Sequence, residues 1–205
     1  MKFKEFYIKI KGIIEDNRKS IYVYSLIFTL VFSIFNRGLG AVKESLWHES
    51  ISIYYFLLVI IKGILLLYFY NSKTKNNETK VFILIKILLI ILNVFLIIPI
   101  VLLILNKRIV EMTLIPSIAI ALYVTIKTTV VITQYVKRKQ ENSILIRELR
   151  TINLMDVIVS ILTLTNTLIA VNSTGFDIGL FYLVIATSII GFGLNMFIVI
   201  RLKKQ

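Results

Sequence analysis

The chain has 205 residues, 58% of them hydrophobic and 17% charged, with two prolines, no cysteine and a mean hydropathy of +0.87. That composition excludes an ordinary soluble domain, and the missing cysteine excludes disulfides, thiolate catalysis and thiolate zinc sites. The net charge of +13 is not expected to serve nucleic acid, because a basic patch needs a folded aqueous face and nearly every long segment here is apolar.

An all-α, polytopic integral membrane protein is expected, a single membrane domain of six spans preceded by an interfacial helix. Residues 1 to 20 carry Lys2, Lys4, Lys9, Lys11, Arg18 and Lys19, with Phe3, Phe6 and Ile10 at helical spacing. This basic amphipathic pattern suits a helix lying on an anionic inner leaflet or a lead-in that orients the first span. A cleaved signal peptide is disfavoured by the length of the polar stretch.

The first span, about 21–36, is short for a bilayer core of ~30 Å. Within it Ser25, Thr29 and Ser33 form a small-xxx-small pattern that lets backbones approach. Residues 36–50 read as a loop containing Gly38, Gly40, Trp47 and His48, with His48 interfacial. The second span, 51–70, has Trp47, Tyr54 and Tyr55 at one end and Tyr68 and Tyr70 at the other, the arrangement of two aromatic belts. It also contains Lys62.

After the polar turn 71–80 comes the third span, 81–105, with Lys86, Asn93 and Pro99. The fourth, 113–136, carries Tyr123, Lys127 and Gln134 on one stripe with Ala119. A charged connection, 137–150, holds Lys137, Arg138, Lys139, Arg147 and Arg150, suited to lipid or a protein partner. The fifth span, 151–171, has Asn153, Asp156, Ser160, Thr163 and Thr167 along one face. The sixth, 178–200, repeats Gly179, Ala186 and Gly193 every seven residues, a smooth seam for packing against a neighbour.

Of the 24 Lys and Arg residues, seventeen fall on the side of the N-terminus, four on the other and three inside spans. The positive-inside rule then places a multi-pass protein in the cell membrane with both termini cytoplasmic. An echo at an offset of 65, matching Ile61-Lys62, Tyr70 and Asn77 to Ile126-Lys127, Tyr135 and Asn142, is what so biased a composition produces by chance, with duplicated hairpins as the alternative.

Lys86 can snorkel to the inner headgroups. Lys62 and Lys127 sit on helices running the other way, so their side chains lean outward, and snorkelling or pairing remain alternatives. Asp156 has no long stem. Counted from the expected inner boundary it lies six residues in, roughly 9 Å. A bare carboxylate there takes a proton unless cations or donors accompany it. The expected partner is Lys127, flanked by Tyr123, Gln134, Ser160 and Thr163, with Asn93 or Asn195 completing the site.

Two functional classes stay open. One is binding or transport of a small solute or ion, an anion or a proton, between the fourth and fifth spans. The other is a non-transporting membrane subunit, regulatory, immunity or assembly, whose polar groups join helices to each other, to a membrane protein partner or to a second copy. A crevice reaching Asp156 would favour the first, and a sealed bundle with an exposed small-residue seam the second. No enzyme is expected, since paired acids, a Ser-His couple and Gly-rich phosphate loops are missing from the sequence. No metal or cofactor is expected either, with His48 the lone histidine.

Overall fold

The computed structural model describes residues 20–70, 78–106, 113–137, 144–172 and 178–201. Within them lie six α-helices: α1 (Ser20–Lys43), α2 (Leu46–Tyr70), α3 (Glu78–Asn106), α4 (Leu114–Lys137), α5 (Ile144–Asn172) and α6 (Ile178–Arg201). All six are long and apolar enough to cross a membrane. The amphipathic helix expected over 1–20 lies outside the described residues, apart from Ser20, as do most of the polar connections.

The helices pack as two three-helix halves. In each, the middle helix touches both of its chain neighbours, α2 between α1 and α3, and α5 between α4 and α6. Between the halves α1 meets α4 and α5, α2 meets α5, and α3 meets α6. The spatial pairing is therefore of helices three apart. It differs from the pairing of α2 with α4 that the echo at offset 65 suggests.

Polarity is reversed relative to a soluble bundle. The outer face of α3 exposes Ile83, Leu84, Ile87, Ile90, Ile91 and Val94, and that of α6 exposes Leu183, Ile189, Ile190, Leu194 and Phe197. Inside, alongside Leu58, Leu65, Leu89, Ile120 and Ile152, lie buried Ser25, Thr29, Ser33, Asn36, Lys62, Lys127, Asn153, Asp156 and Ser160. Aliphatic surface on this scale is unfavourable in water and costs nothing against hydrocarbon.

Three expectations are corrected. First, residues 36–50 are not a loop. α1 runs on to Lys43 and α2 starts at Leu46, so the first helix is long rather than short. The intervening turn is a Schellman closure: Glu44 takes a left-handed φ of 51° and the Ser45 N–H donates to the Gly40 carbonyl at 3.0 Å. Ser45 Oγ then faces the His48 N–H at 3.5 Å in the N-cap position of α2. Inside the helix, position 40 has room only for glycine because the chain returns against it, and a Cβ there would lie 2.9 Å from the Glu49 backbone nitrogen.

Second, Tyr54 and Tyr55 are core residues rather than an aromatic belt. They pack edge to face with ring centroids 5.6 Å apart, and Tyr55 packs likewise on Phe32 at 4.8 Å. Third, α5 begins at Ile144, so the end of the charged connection is helix. Ile146, Glu148, Leu149 and Arg150 are buried there, and Arg147 is half-buried.

Candidate functional site

Four helices bring polar side chains to one point. α1 places Ser25 and Thr29 one turn apart on its buried face, α2 supplies Tyr55 and Lys62, α4 supplies Tyr123 and Lys127, and α5 supplies Asn153, Asp156 and Ser160. The spacings of three, four and seven residues within each helix put these groups on a single inward stripe. Asp156 is twelve residues into α5, roughly 18 Å along its axis. It is six residues from the expected start of the span, and the difference arises because the helix begins earlier.

Asp156 is completely buried and the side chains of both lysines are 2% exposed. Its Oδ2 accepts from Lys62 Nζ in a short ionic contact, from Lys127 Nζ at 2.6 Å and from Thr29 Oγ1 at 2.8 Å. Its Oδ1 lies 3.4 Å from both the Tyr123 and Ser160 hydroxyls. Both lysines also donate to Thr29 Oγ1, at 2.9 and 2.6 Å, and Lys127 reaches the Ser25 carbonyl at 3.1 Å. Ser160 Oγ donates to the Asp156 carbonyl at 2.6 Å and meets the Tyr55 hydroxyl at 3.0 Å.

The Thr29 hydroxyl has one proton and two acceptor directions. With both lysines donating to it, its proton is left for Asp156 Oδ2 or for the Ser25 carbonyl, each 2.8 Å away. Thr29 is thus the hydroxyl hub between two lysine nitrogens and one carboxylate.

The expected pairing of Lys127 with Asp156 is present, but it is one arm of a triad. Lys62 is the second arm, and the outward lean of α2 side chains does not keep it away. Tyr123 and Ser160 flank the carboxylate as expected. Gln134 does not; it accepts from Asn153 Nδ2 at 3.0 Å, while Asn153 Oδ1 accepts from Ser25 at 2.8 Å. Thr163 is buried but bonds back to the Val159 carbonyl at 2.9 Å, and Asn93 on α3 bonds back to the Leu89 carbonyl at 2.9 Å. Asn195 on α6 is buried with neither amide atom bonded. Ala119 is exposed, off the stripe of Tyr123 and Lys127.

The residues that sequence reasoning missed belong mainly to α1. Ser25 and Thr29 are ligands of the triad, and Ser33 exchanges reciprocal bonds with Ser52 at 2.8 and 2.9 Å. Asn36, the next residue of the seam, donates to the Phe32 carbonyl, which leaves its Oδ1 to accept from His48 Nδ1 at 2.9 Å. His48 is therefore a buried helix-pairing group, not a loop residue. Phe32 stacks on Tyr123 with centroids 3.8 Å apart and holds that phenol over the site.

The seam expected on the last helix faces away from the bundle. Gly179, Ala186 and Gly193 are all exposed. The close approach involves Gly191, where a Cβ would lie 2.2 Å from Leu162 Cδ1. Among the described residues no group of three His, Cys, Asp or Glu side chains could hold a metal.

Electrostatically the triad is unbalanced. Were both lysine nitrogens ammonium, lying roughly 5 Å apart at most on one oxygen, they would repel each other by about 3 kcal/mol at an effective dielectric of 20. No known protein-family model, curated protein or solved structure matches the chain.

Proposed function

We propose that this chain is a multi-pass protein of the cell membrane, both termini cytoplasmic, that binds or transports a small solute or ion at the triad of Lys62, Lys127 and Asp156. The observation that carries the reading is the make-up of that triad: two lysines to one carboxylate, buried between two halves of a helical bundle. Ionisable groups surrounded by hydrocarbon are costly, and they mark ion or solute pathways more often than they stabilise a fold. Sites between two halves of a bundle are also where rocking motions open and close access in transporters. The aliphatic outer shell and the seventeen-to-four charge asymmetry support the membrane setting and the threading. The bilayer partner expected is one with an anionic inner leaflet, and the solute expected is a small anion or a proton. The proposal is of a binding protein rather than an enzyme.

A second reading is favoured by two specific observations, the complete burial of Asp156 and the outward-facing small residues of α6. On that reading the chain is a non-transporting subunit whose triad is a latch, and α6 meets a membrane protein partner or a second copy. One experiment separates the two. Purified protein is melted in detergent across a series of chloride, formate, lactate and phosphate concentrations, and the same solutes are tested for flux in reconstituted vesicles. Saturable stabilisation by one of them, lost in Lys127→Met, supports the binding reading. No stabilisation, and flux equal to protein-free vesicles at every pH gradient, leaves the latch.

A further inference from the structure

Among the described residues no second carboxylate reaches the triad. α1 offers it only hydroxyls and a carbonyl, from Ser25 and Thr29; α2 offers Lys62 and Tyr55; α4 offers Lys127 and Tyr123; α5 offers Asp156 and Ser160. The next acid along α5, Glu148, is eight residues away, roughly 12 Å along the axis, and its charged neighbours are Arg147 and Lys86. α3 and α6 contribute no charged side chain to the triad among the described residues. A net charge of +1 enclosed this way has two remedies: one lysine gives up a proton, or a further anion enters.

We propose that the site uses both remedies in alternation, binding one small monocarboxylate together with one proton. This rests on the solute-binding reading of the chain. In the empty site Asp156 is a carboxylate, one lysine is an ammonium and the other is a neutral amine, so the charges sum to zero. The entering carboxylate adds one negative charge. The accompanying proton attaches to the amine lone pair and makes the second ammonium, and the sum is again zero. No bond other than that N–H forms, and binding transfers no net charge.

The donors select the chemistry of the ligand. Two lysine nitrogens and the hydroxyls of Thr29, Tyr123 and Ser160 already converge on one carboxylate, that of Asp156. Charge-assisted donors of this kind favour a carboxylate over a halide, because each oxygen of the carboxylate can accept several of them. A ligand carboxylate entering between Lys62 and Lys127 would share a cradle already built for its own functional group.

The test uses the full chain in detergent with lactate as the probe, measuring bound label and proton uptake together in weakly buffered solution near neutral pH. The expected result is one proton taken up per lactate bound, with affinity falling about tenfold for each unit of rising pH over the range of uptake. In vesicles, lactate accumulation should follow an imposed pH gradient and ignore an imposed potassium diffusion potential. Lys62→Met and Lys127→Met should each abolish the proton uptake; the wild-type stoichiometry decides the matter even where a variant fails to fold. Lactate binding without proton uptake, or accumulation that follows the potential, overturns the coupling and leaves the solute-binding reading standing. Stabilisation by chloride but not by lactate or formate overturns the carboxylate assignment alone. Inertness to every probe overturns this inference and the solute-binding reading together.

Discussion

Removing the charge of Asp156 and removing one lysine should have very different consequences. With Lys127 Nζ 2.6 Å from the carboxylate, one ion pair at that distance is worth about 6 kcal/mol at an effective dielectric of 20, and the empty site proposed above holds one such pair and one neutral amine. Lys127→Met leaves Lys62 as the ammonium beside Asp156 and removes only the hydrogen bonds of an amine, about 1 kcal/mol. A change within about 1 kcal/mol of wild type is therefore expected. Asp156→Asn loses the ion pair and strands the ammonium, for which about 3 to 5 kcal/mol is expected. For a chain of this length the thermal midpoint should fall by about 6 to 20 °C. The assay is thermal unfolding of purified protein in detergent at neutral pH, on both single variants and the triple variant with Lys62→Met added. The triple variant should recover most of the loss. A Lys127→Met penalty equal to that of Asp156→Asn would refute the charge-surplus reasoning.

Other expectations are read in the same melting assay. Gly191→Ala should cost about 1 to 3 kcal/mol, because its Cβ would press on Leu162, whereas Gly193→Ala, with no atom within 4 Å, should be neutral. Glu44→Gly should stabilise by about 0.5 to 1 kcal/mol by relieving the left-handed backbone at the α1–α2 turn. Asn36→Leu removes the acceptor of the buried His48 N–H and should cost about 1 to 3 kcal/mol.

Five of the helices were legible because each holds a run of some twenty apolar residues, a signal that hydropathy alone carries, and the first from a shorter run of the same kind. The inward stripe of α5 was legible for the same reason, since polar groups at helical spacing stand out in an apolar run. The role of α1 was not. Ser25, Thr29 and Ser33 have the same spacing whether they let backbones approach or donate hydrogen bonds, and only their neighbours decide; at Ser33 and Ser52 they do both. The meeting of Lys62 with Asp156 was not legible, because which helices meet depends on packing among all six. The early start of α5 did leave a trace, as Ile146, Leu149, Ile152 and Met155 continue the apolar spacing of the span, but the interleaved charges hid it. The α1–α2 turn was hidden by Gly38 and Gly40, which read as loop formers although one of them is a contact point inside a helix.

The division of the triad between the two halves of the bundle says where an entering anion would be held. Contacts from Asp156 to Lys62 and to Thr29, from Lys127 to Thr29, and from Ser25 to Asn153 all cross between the halves. The contact of Lys127 with Asp156 lies within the second half, and that of Lys62 with Thr29 within the first. If the halves separate, the second half keeps a neutral pair, and its carboxylate stays compensated. The first half keeps Lys62 beside a hydroxyl, with its counter-ion gone. On the proposed reading Lys62 is then the group that a ligand anion would meet, and Lys127 the one that stays with Asp156, although the closed bundle holds both against the same oxygen.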